Sequence, residues 1–358
     1  MAQYKTLSGL LDFYRGRRVF ITGHTGFKGS WLCRILAGAG AEVTGYALDP
    51  PTHPCLYDHA GLTGRIRDVR GDIRSWEQLS AAYREADPEI VFHMAAQPLV
   101  RESYRTPRST YETNVMGTVN LLECMRTAPG GPPRSAVFVT TDKVYENREQ
   151  ARGYREEEPL DGRDPYSNSK SCAELAVHSY RQSFFGSTAV STARAGNVIG
   201  GGDFAADRIV PDCLRAAARR QTIRVRNPGS VRPYQHVLEP LSAYLLLAKL
   251  QYDDPTLAGA YNVGPRDADC LTTGALVTLF CRLWGEDAAW ESAAEPNAPH
   301  EANFLKLDCG KIRDRLGWEP RWNMETAMEQ TVRFSRIWLA GGDLCDEMDR
   351  EIRAYFEG

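Results

Sequence analysis

Long apolar runs are missing from this chain. The most apolar stretch, around Tyr244–Leu250, falls far short of the 18 or so residues that a membrane-spanning helix needs. Residues Met1–Leu10 hold no basic cluster leading into an apolar core, so no secretory leader is expected. Charge of one sign is also lacking. Lys and Arg number 43 against 46 Asp and Glu, a formal net charge of −3, which excludes a global basic field for nucleic acid. Nine cysteines are scattered over 358 residues with no C-x-x-C pair. An odd, unpatterned set reads as free thiols of a cytoplasmic protein. His53, Cys55 and His59 are neighbours, but they read as loop residues, and no metal is expected. Neither H-E-x-x-H nor G-x-S-x-G occurs, which leaves no motif for a zincin or a serine hydrolase. No repeat, low-complexity tract or long linker divides the chain. Its 42% apolar and 25% charged content is ordinary for a globular protein of about two domains.

Strand-like and helix-like segments alternate instead. Arg18–Thr22 is a β-branched apolar run that ends in glycines and leads into Ser30–Ala39, which has helical spacing. Glu42–Leu48, Ile90–Ala96 and Ala136–Thr141 are further apolar runs of strand length. Ser75–Ala86, Ser109–Arg126 and Asn168–Phe185 are the helices expected between and after them. Uninterrupted apolar strands fit burial on both faces, so the expected fold class is α/β, a Rossmann-type doubly wound parallel sheet. The pattern loosens after about residue 190. Helices are expected at Ile209–Arg220, Pro240–Gln251 and Thr272–Trp284, within a smaller C-terminal region that covers the ligand. Glu156–Glu158 is a short acidic run in a polar loop.

Between the first strand and first helix lies Thr22-Gly23-His24-Thr25-Gly26-Phe27-Lys28-Gly29. The spacing is G-x-x-G-x-x-G rather than the commoner G-x-G-x-x-G, with the same physical logic. Glycines let the backbone turn sharply and come close to a pyrophosphate, which the helix N-terminus then binds. Gly23, Thr25, Gly26, Phe27 and Gly29 are the expected contacts. Asp49 follows Gly29 by 20 residues and ends the second strand. A carboxylate there accepts from a ribose 2′-hydroxyl and repels a 2′-phosphate, which favours NAD over NADP. Asp72, with Ile73, is a candidate on the adenine side, and Ala95, Ala96 and Gln97 follow the Ile90–Ala96 strand.

Tyr166 and Lys170 form Y-x-x-x-K on one face of a helix, where an ammonium can stabilise a tyrosinate. Thr140-Thr141-Asp142-Lys143 ends the preceding strand, at the side of the sheet that faces a ligand. The triplet Thr141-Asp142-Lys143 there suits acid–base chemistry, but Thr and Asp also begin helices, so a capping turn is an equal reading.

These residues resemble the extended short-chain dehydrogenase/reductases, and among them the CDP-glucose 4,6-dehydratase family, over roughly residues 10–340. The carriers are TGHTGFKGSWL (22–32), HMAAQPLVRESY (93–104), ETNVMGT (112–118), TTDKVYEN (140–147), PYSNSK (165–170), RAGNVIGGGD (194–203) and RPYQHV (232–237). The first and fifth mark the superfamily only, whereas TTDKVYEN and RAGNVIGGGD are more specific. Sister dTDP-glucose dehydratases typically carry Asp-Glu where this chain has Asp142-Lys143. Val144 stands where many members have Cys.

The resemblance implies a hydro-lyase that converts CDP-glucose to its 4-keto-6-deoxy form through bound NAD. Tyr166 would take the C4 hydroxyl proton, Thr141 would hold that oxygen, and Lys170 would bind the nicotinamide ribose. Lys143 would be the base at C5 and Asp142 the acid at the C6 hydroxyl. Asn197, Arg226, Arg232 and Asn262 match family positions near the nucleotide diphosphate, Arg232 foremost because guanidinium binds phosphate in bidentate fashion, while Arg226 also suits a plain surface charge. Gln97, Arg101 and Ser103 follow the His93–Ala96 strand, where lining the crevice and forming a polar loop are equal readings. Residues 1–193 with about 232–262 would hold NAD, and about 194–231 with 263–358 the nucleotide sugar. Ser109–Arg126 and Asn168–Phe185 would form the face of a homodimer or tetramer, although Met116, Val119, Leu122, Leu175 and Val177 equally suit a monomer core. The rival activities are a 4-epimerase or a dehydratase of a GDP-, UDP- or dTDP-sugar. An epimerase has no use for the Asp142/Lys143 pair. A non-catalytic nucleotide-binding protein is the remote alternative, disfavoured because Thr141, Tyr166 and Lys170 are all present.

Overall fold

The structure, a computed structural model, describes residues 9–186, 188–285, 287–293 and 304–358. Seven parallel strands form one sheet: β1 (Arg18–Thr22), β2 (Glu42–Ala47), β3 (Arg67–Arg70), β4 (Ile90–His93), β5 (Ser135–Val139), β6 (Ala189–Ala195) and β7 (Ala260–Val263). Their order is 3-2-1-4-5-6-7. The direction of winding reverses between β1 and β4, so the carboxyl ends of β1, β4 and β5 open on one crevice.

Alternation along each strand fills both faces. On one side Val19, Ile21, Phe92 and Val137 pack with Leu32, Leu241 and Leu245. On the other, Phe20, Val91, Ala136 and Phe138 pack with Leu121, Met125 and Val190. The strands β3, β6 and β7 were not among the expected ones. β3 (RDVR) is an edge strand with little burial and carries no apolar signal. β6 (AVSTARA) is wholly buried, but its Ser, Thr and Arg interrupt the run.

The principal helices are α1 (Phe27–Gly38), α2 (Trp76–Ala86), α3 (Gly117–Thr127), α4 (Pro165–Phe184), α5 (Ile209–Ala218), α6 (Leu238–Asp253), α7 (Thr273–Trp284), α8 (Gly310–Leu316), α9 (Met324–Leu339) and α10 (Leu344–Phe356). α1 and α4 each start three residues earlier than the spacing predicts. Pro165 takes the first position of α4, and the Asp164 carboxylate accepts from the Ser167 N–H at 3.0 Å. Tyr166 therefore sits in the first turn. The expected single helix Ser109–Arg126 is instead a turn of helix at Pro107–Tyr111, a wide turn at Glu112–Met116 and then α3.

A third apolar cluster, with Ile199, Val210, Ile223, Leu276, Phe280, Trp284 and Met328, makes the roof region. Chain order and packing part company at the C-terminus. Residues 344–356, grouped above with the substrate region, share the core of β1 and α1. Arg34 on α1 holds Asp349 bidentately at 2.8 and 2.6 Å, and the Tyr355 hydroxyl donates to Glu239 on α6. No helix of the described residues is long and apolar enough to cross a membrane.

Candidate active site

The crevice over β1, β4 and β5 holds a cavity of about 290 Å³. Beneath its floor, the buried Thr22 hydroxyl accepts from the Met94 and Ala95 N–H groups at 3.1 and 3.2 Å, which ties β1 to β4. Gly23 lies against that junction in a left-handed conformation (φ +78°), and a Cβ there would come within 2.7 Å of the Ala95 nitrogen. A side chain at Gly29 would overlap the Gly23 carbonyl. The turn is thus closed to any residue but glycine at both positions. No side chain caps α1 at Gly26, which leaves its first N–H groups to an anion. The Thr25 hydroxyl donates to the Leu48 carbonyl at 3.0 Å and so binds the turn to the end of β2. The Asp49 carboxylate beside it is 92% exposed, with Arg70 at 3.5 Å. Arg70 is mainly committed to Asp68, at 2.7 Å. This cradle and carboxylate fit a dinucleotide.

At the end of β5, Thr141 forms the capping turn that its position allowed. Its hydroxyl caps the single turn Asp142–Val144 and donates to Asp142 Oδ1 at 2.8 Å. Burial pushes the Asp142 carboxyl up, against the Lys143 charge and the Thr141 hydrogen bond. Asp142 Oδ2 is buried without a hydrogen-bond partner. The Lys143 amine lies 5.9 Å from the centre of the Tyr166 ring. Burial holds Tyr166 up at about 12, while the Thr141 hydroxyl and the Arg208 guanidinium pull it down. Lys170, one turn along α4, donates to the Val139 carbonyl at 3.2 Å, and burial lowers its amine to about 8. The Arg208 guanidinium is thus one of the cations acting on the Tyr166 phenol.

Other sequence-marked residues divide by position. Phe27, Ala96, Arg101, Asn197, Arg226 and Arg232 line the cavity with Thr141, Asp142, Lys143, Tyr166 and Lys170. Arg226 pairs with Asp207 at 3.0 Å. Three residues are committed elsewhere. Ser103 is fully buried and donates to the Val100 carbonyl at 2.7 Å, bracing its own helical turn. Asn262, also fully buried, donates to the carbonyls of Tyr154 and Asp308 and accepts from the Tyr145 hydroxyl. The Gln97 amide clamps Leu99 and Thr110. None of these three lines the cavity, because each side chain has its polar atoms taken up by its own loop or core. Ile73 packs in the core on one face of the sheet, and Asp72 pairs with Arg74 at 2.6 Å beside it.

Sequence reasoning missed Lys28, Asp203 and Arg208, which line the same cavity. Lys28 was inside the glycine motif and readable there. Asp203, the last residue of RAGNVIGGGD, pairs at 2.8 Å with Arg208, which lies in a loop with no local pattern. Beneath the floor, Glu174 accepts from Thr140, Thr192 and Arg194, all buried, and locks α4 to β5 and β6. Eight basic and four acidic side chains face the cavity, in a protein of net charge −3. That local excess suits anionic ligands.

Residues 20–331 match the family model described as GDP-mannose 4,6 dehydratase. A CDP-glucose 4,6-dehydratase of Salmonella typhimurium is 49% identical over 96% of this chain and 97% of its own length. The chain belongs to this dehydratase family. A probable dTDP-glucose 4,6-dehydratase of Sinorhizobium fredii is 27% identical over 88% of this chain and 92% of its own. Among solved structures, a dTDP-glucose 4,6-dehydratase of Streptomyces venezuelae with NAD bound superposes with a TM-score of 0.77. It is 25% identical and covers 91% of this chain and 99% of its own. A UDP-glucose 4-epimerase of Thermotoga maritima, 23% identical, has the same fold at a TM-score of 0.77, over 90% of this chain and 99% of its own.

Proposed function

We propose that the protein is a CDP-glucose 4,6-dehydratase working on tightly held NAD. The observation that carries this reading is the Asp142/Lys143 pair. A buried carboxyl pushed toward its protonated form, with one oxygen unpartnered, stands beside an amine in the cleft of Tyr166 and Thr141. An epimerase has no step for that pair, whereas an elimination needs both an acid and a base. The 49% identity to the Salmonella enzyme supports the CDP-linked sugar.

Residues Gly23–Gly29 and Asp49 would hold NAD, which when bound supplies the hydride acceptor for C4 and the hydride for C6. Tyr166 takes the C4 hydroxyl proton, with Thr141 on that oxygen. The new ketone acidifies C5–H, whose proton goes to Lys143. Asp142 gives its proton to the departing C6 hydroxyl, releasing water. Lys143 then returns a proton to C5, and loss of the C4 proton from Tyr166 with reprotonation of Asp142 resets the pair, so sugar and side chains balance with no net redox change. Arg232, nearly buried in the cleft wall, and Arg226 hold the diphosphate. Exposed Met116 (50%) and Leu175 (57%), beside α3 and on α4, offer an apolar face for a homodimer, whereas Leu122 and Val177 belong to the monomer core. The nine free thiols suit the cytoplasm.

The test follows the sugar by NMR in the presence of CDP-glucose and NAD. A 4-keto-6-deoxy product with no net NADH is expected. A 4-epimer, or turnover only of GDP-mannose, dTDP-glucose or a UDP-sugar, would overturn the assignment.

A further inference from the structure

We propose that Lys28 is a proton-coupled anchor for the cofactor's diphosphate: its amine gains a proton as the dinucleotide settles on the glycine turn. The inference rests on the NAD-dependent reading above and adds a residue to it. Lys28 is the second residue of α1, next to the helix end that the glycine turn leaves uncapped. Its side chain enters the cavity. Among the described residues it makes no hydrogen bond or ion pair, and its amine has only the Tyr244 ring of α6 within reach, 5.8 Å to the centre.

The charged groups facing it are Arg208 ahead of α5, Lys170 on α4 and Asp142 after β5. Two of these three are cations, Arg208 already answers Asp203 at 2.8 Å, and Lys170 is turned to the Val139 carbonyl. Burial first, then Arg208 and Lys170, lower the Lys28 amine to about 7, with Asp142 opposing. The site therefore holds a lysine poised between its two charge states. A diphosphate at the end of α1 brings the negative charge that tips it to ammonium. Binding that takes up a proton weakens as pH rises past the value of the free group.

Calorimetric titration of NAD at pH 8, in phosphate and in Tris, reads the proton count directly. Wild type is expected to take up nearly one proton per NAD, and its affinity to fall between pH 7 and 9. Lys28→Met should bind NAD about tenfold more weakly at pH 6.5, the loss of one charged contact, with no proton uptake. Lys28→Arg should keep the affinity, lose the proton uptake and flatten the pH profile, and it carries the test should Lys28→Met not fold. Wild-type affinity and proton count in both variants would overturn the proposal. So would a loss confined to CDP binding, which would assign Lys28 to the substrate's diphosphate. A wild type that turns over CDP-glucose without proton uptake defeats this inference alone. One that takes up the proton with NAD but leaves CDP-glucose unchanged defeats the dehydratase reading alone.

Discussion

The floor and the roof of the cleft are built differently. On the floor, Thr141 and Asp142 follow the end of β5 and Tyr166 and Lys170 stand in the first two turns of α4, with Thr141 hydrogen-bonded to Asp142 and Lys170 to the Val139 carbonyl of the sheet. On the roof, Asp203, Asp207, Arg208 and Arg226 sit in loops and hold one another by partly exposed ion pairs of 2.8–3.0 Å. Exposed pairs contribute little to stability, whereas buried hydrogen-bonded groups fix geometry. The comparison teaches a division of labour: the floor sets where protons move, and the roof sets how tightly a charged ligand is held. Perturbations should separate along that line.

The floor should give the largest effect. Tyr166→Phe removes the proton acceptor for C4 and should cut kcat about a thousandfold or more, with NAD affinity retained by calorimetry. Lys143→Met tests the floor more finely. C4 oxidation should still occur, seen as NADH absorbance in a single turnover, while no 4-keto-6-deoxy product forms. Full dehydration by Lys143→Met would show that another group takes the C5 proton.

The support beneath the floor should show in stability rather than chemistry. Glu174→Gln leaves the Arg194 guanidinium, 5% exposed, without its buried carboxylate. Removing one partner of a buried pair costs about 3–5 kcal/mol. Chemical denaturation should register that loss, and an unchanged midpoint would mean that Thr140 and Thr192 suffice to hold α4 on the sheet.

What the sequence made legible follows the same division. β1, the glycine turn and Tyr166–Lys170 could be read because their chemistry lies within a few residues of chain, at spacings that one strand or one helical turn converts into proximity. Arg208 could not be read, since it reaches Tyr166 only through the fold, over 42 residues of sequence. The interrupted pattern of β6 hid a central strand because its Thr192 and Arg194 are buried against Glu174 on α4. The C-terminal helix was grouped with the roof by chain order alone. Its Tyr355 and Asp349 partners, on α6 and α1, lie more than a hundred residues upstream. Ser103 was marked by its place after β4 and Asn262 by the family pattern; both brace their own surroundings, which only their hydrogen-bond partners reveal.

The roof should answer through binding. Arg232→Ala is expected to raise KM for CDP-glucose about tenfold, the worth of one charge-assisted contact, with NAD affinity unchanged. A fall in kcat at constant KM would place Arg232 with the floor, where its charge already helps lower Asp142.

Acid gives the smallest effect near neutrality, and it too should fall on the floor. His93 ends β4 between the hydroxyls of Thr22 and Thr118, at 2.7 and 3.0 Å. Burial, with the Lys170 charge adding to it, lowers its imidazole to about 3. In the unfolded chain the same ring takes a proton near 6.5. The unfolded state therefore binds more protons between these values, and the native state loses stability as pH falls through that window. Above about 6.5 the contribution is complete. From pH 7 to 6 the loss is under about 1 kcal/mol, and it grows steadily below that. Denaturation midpoints from pH 7 to 5 should show the slope in the wild type and a shallower one in His93→Gln. Equal slopes would mean that the acid sensitivity of the fold lies in other groups and that the Thr22–His93–Thr118 bridge tolerates a charge.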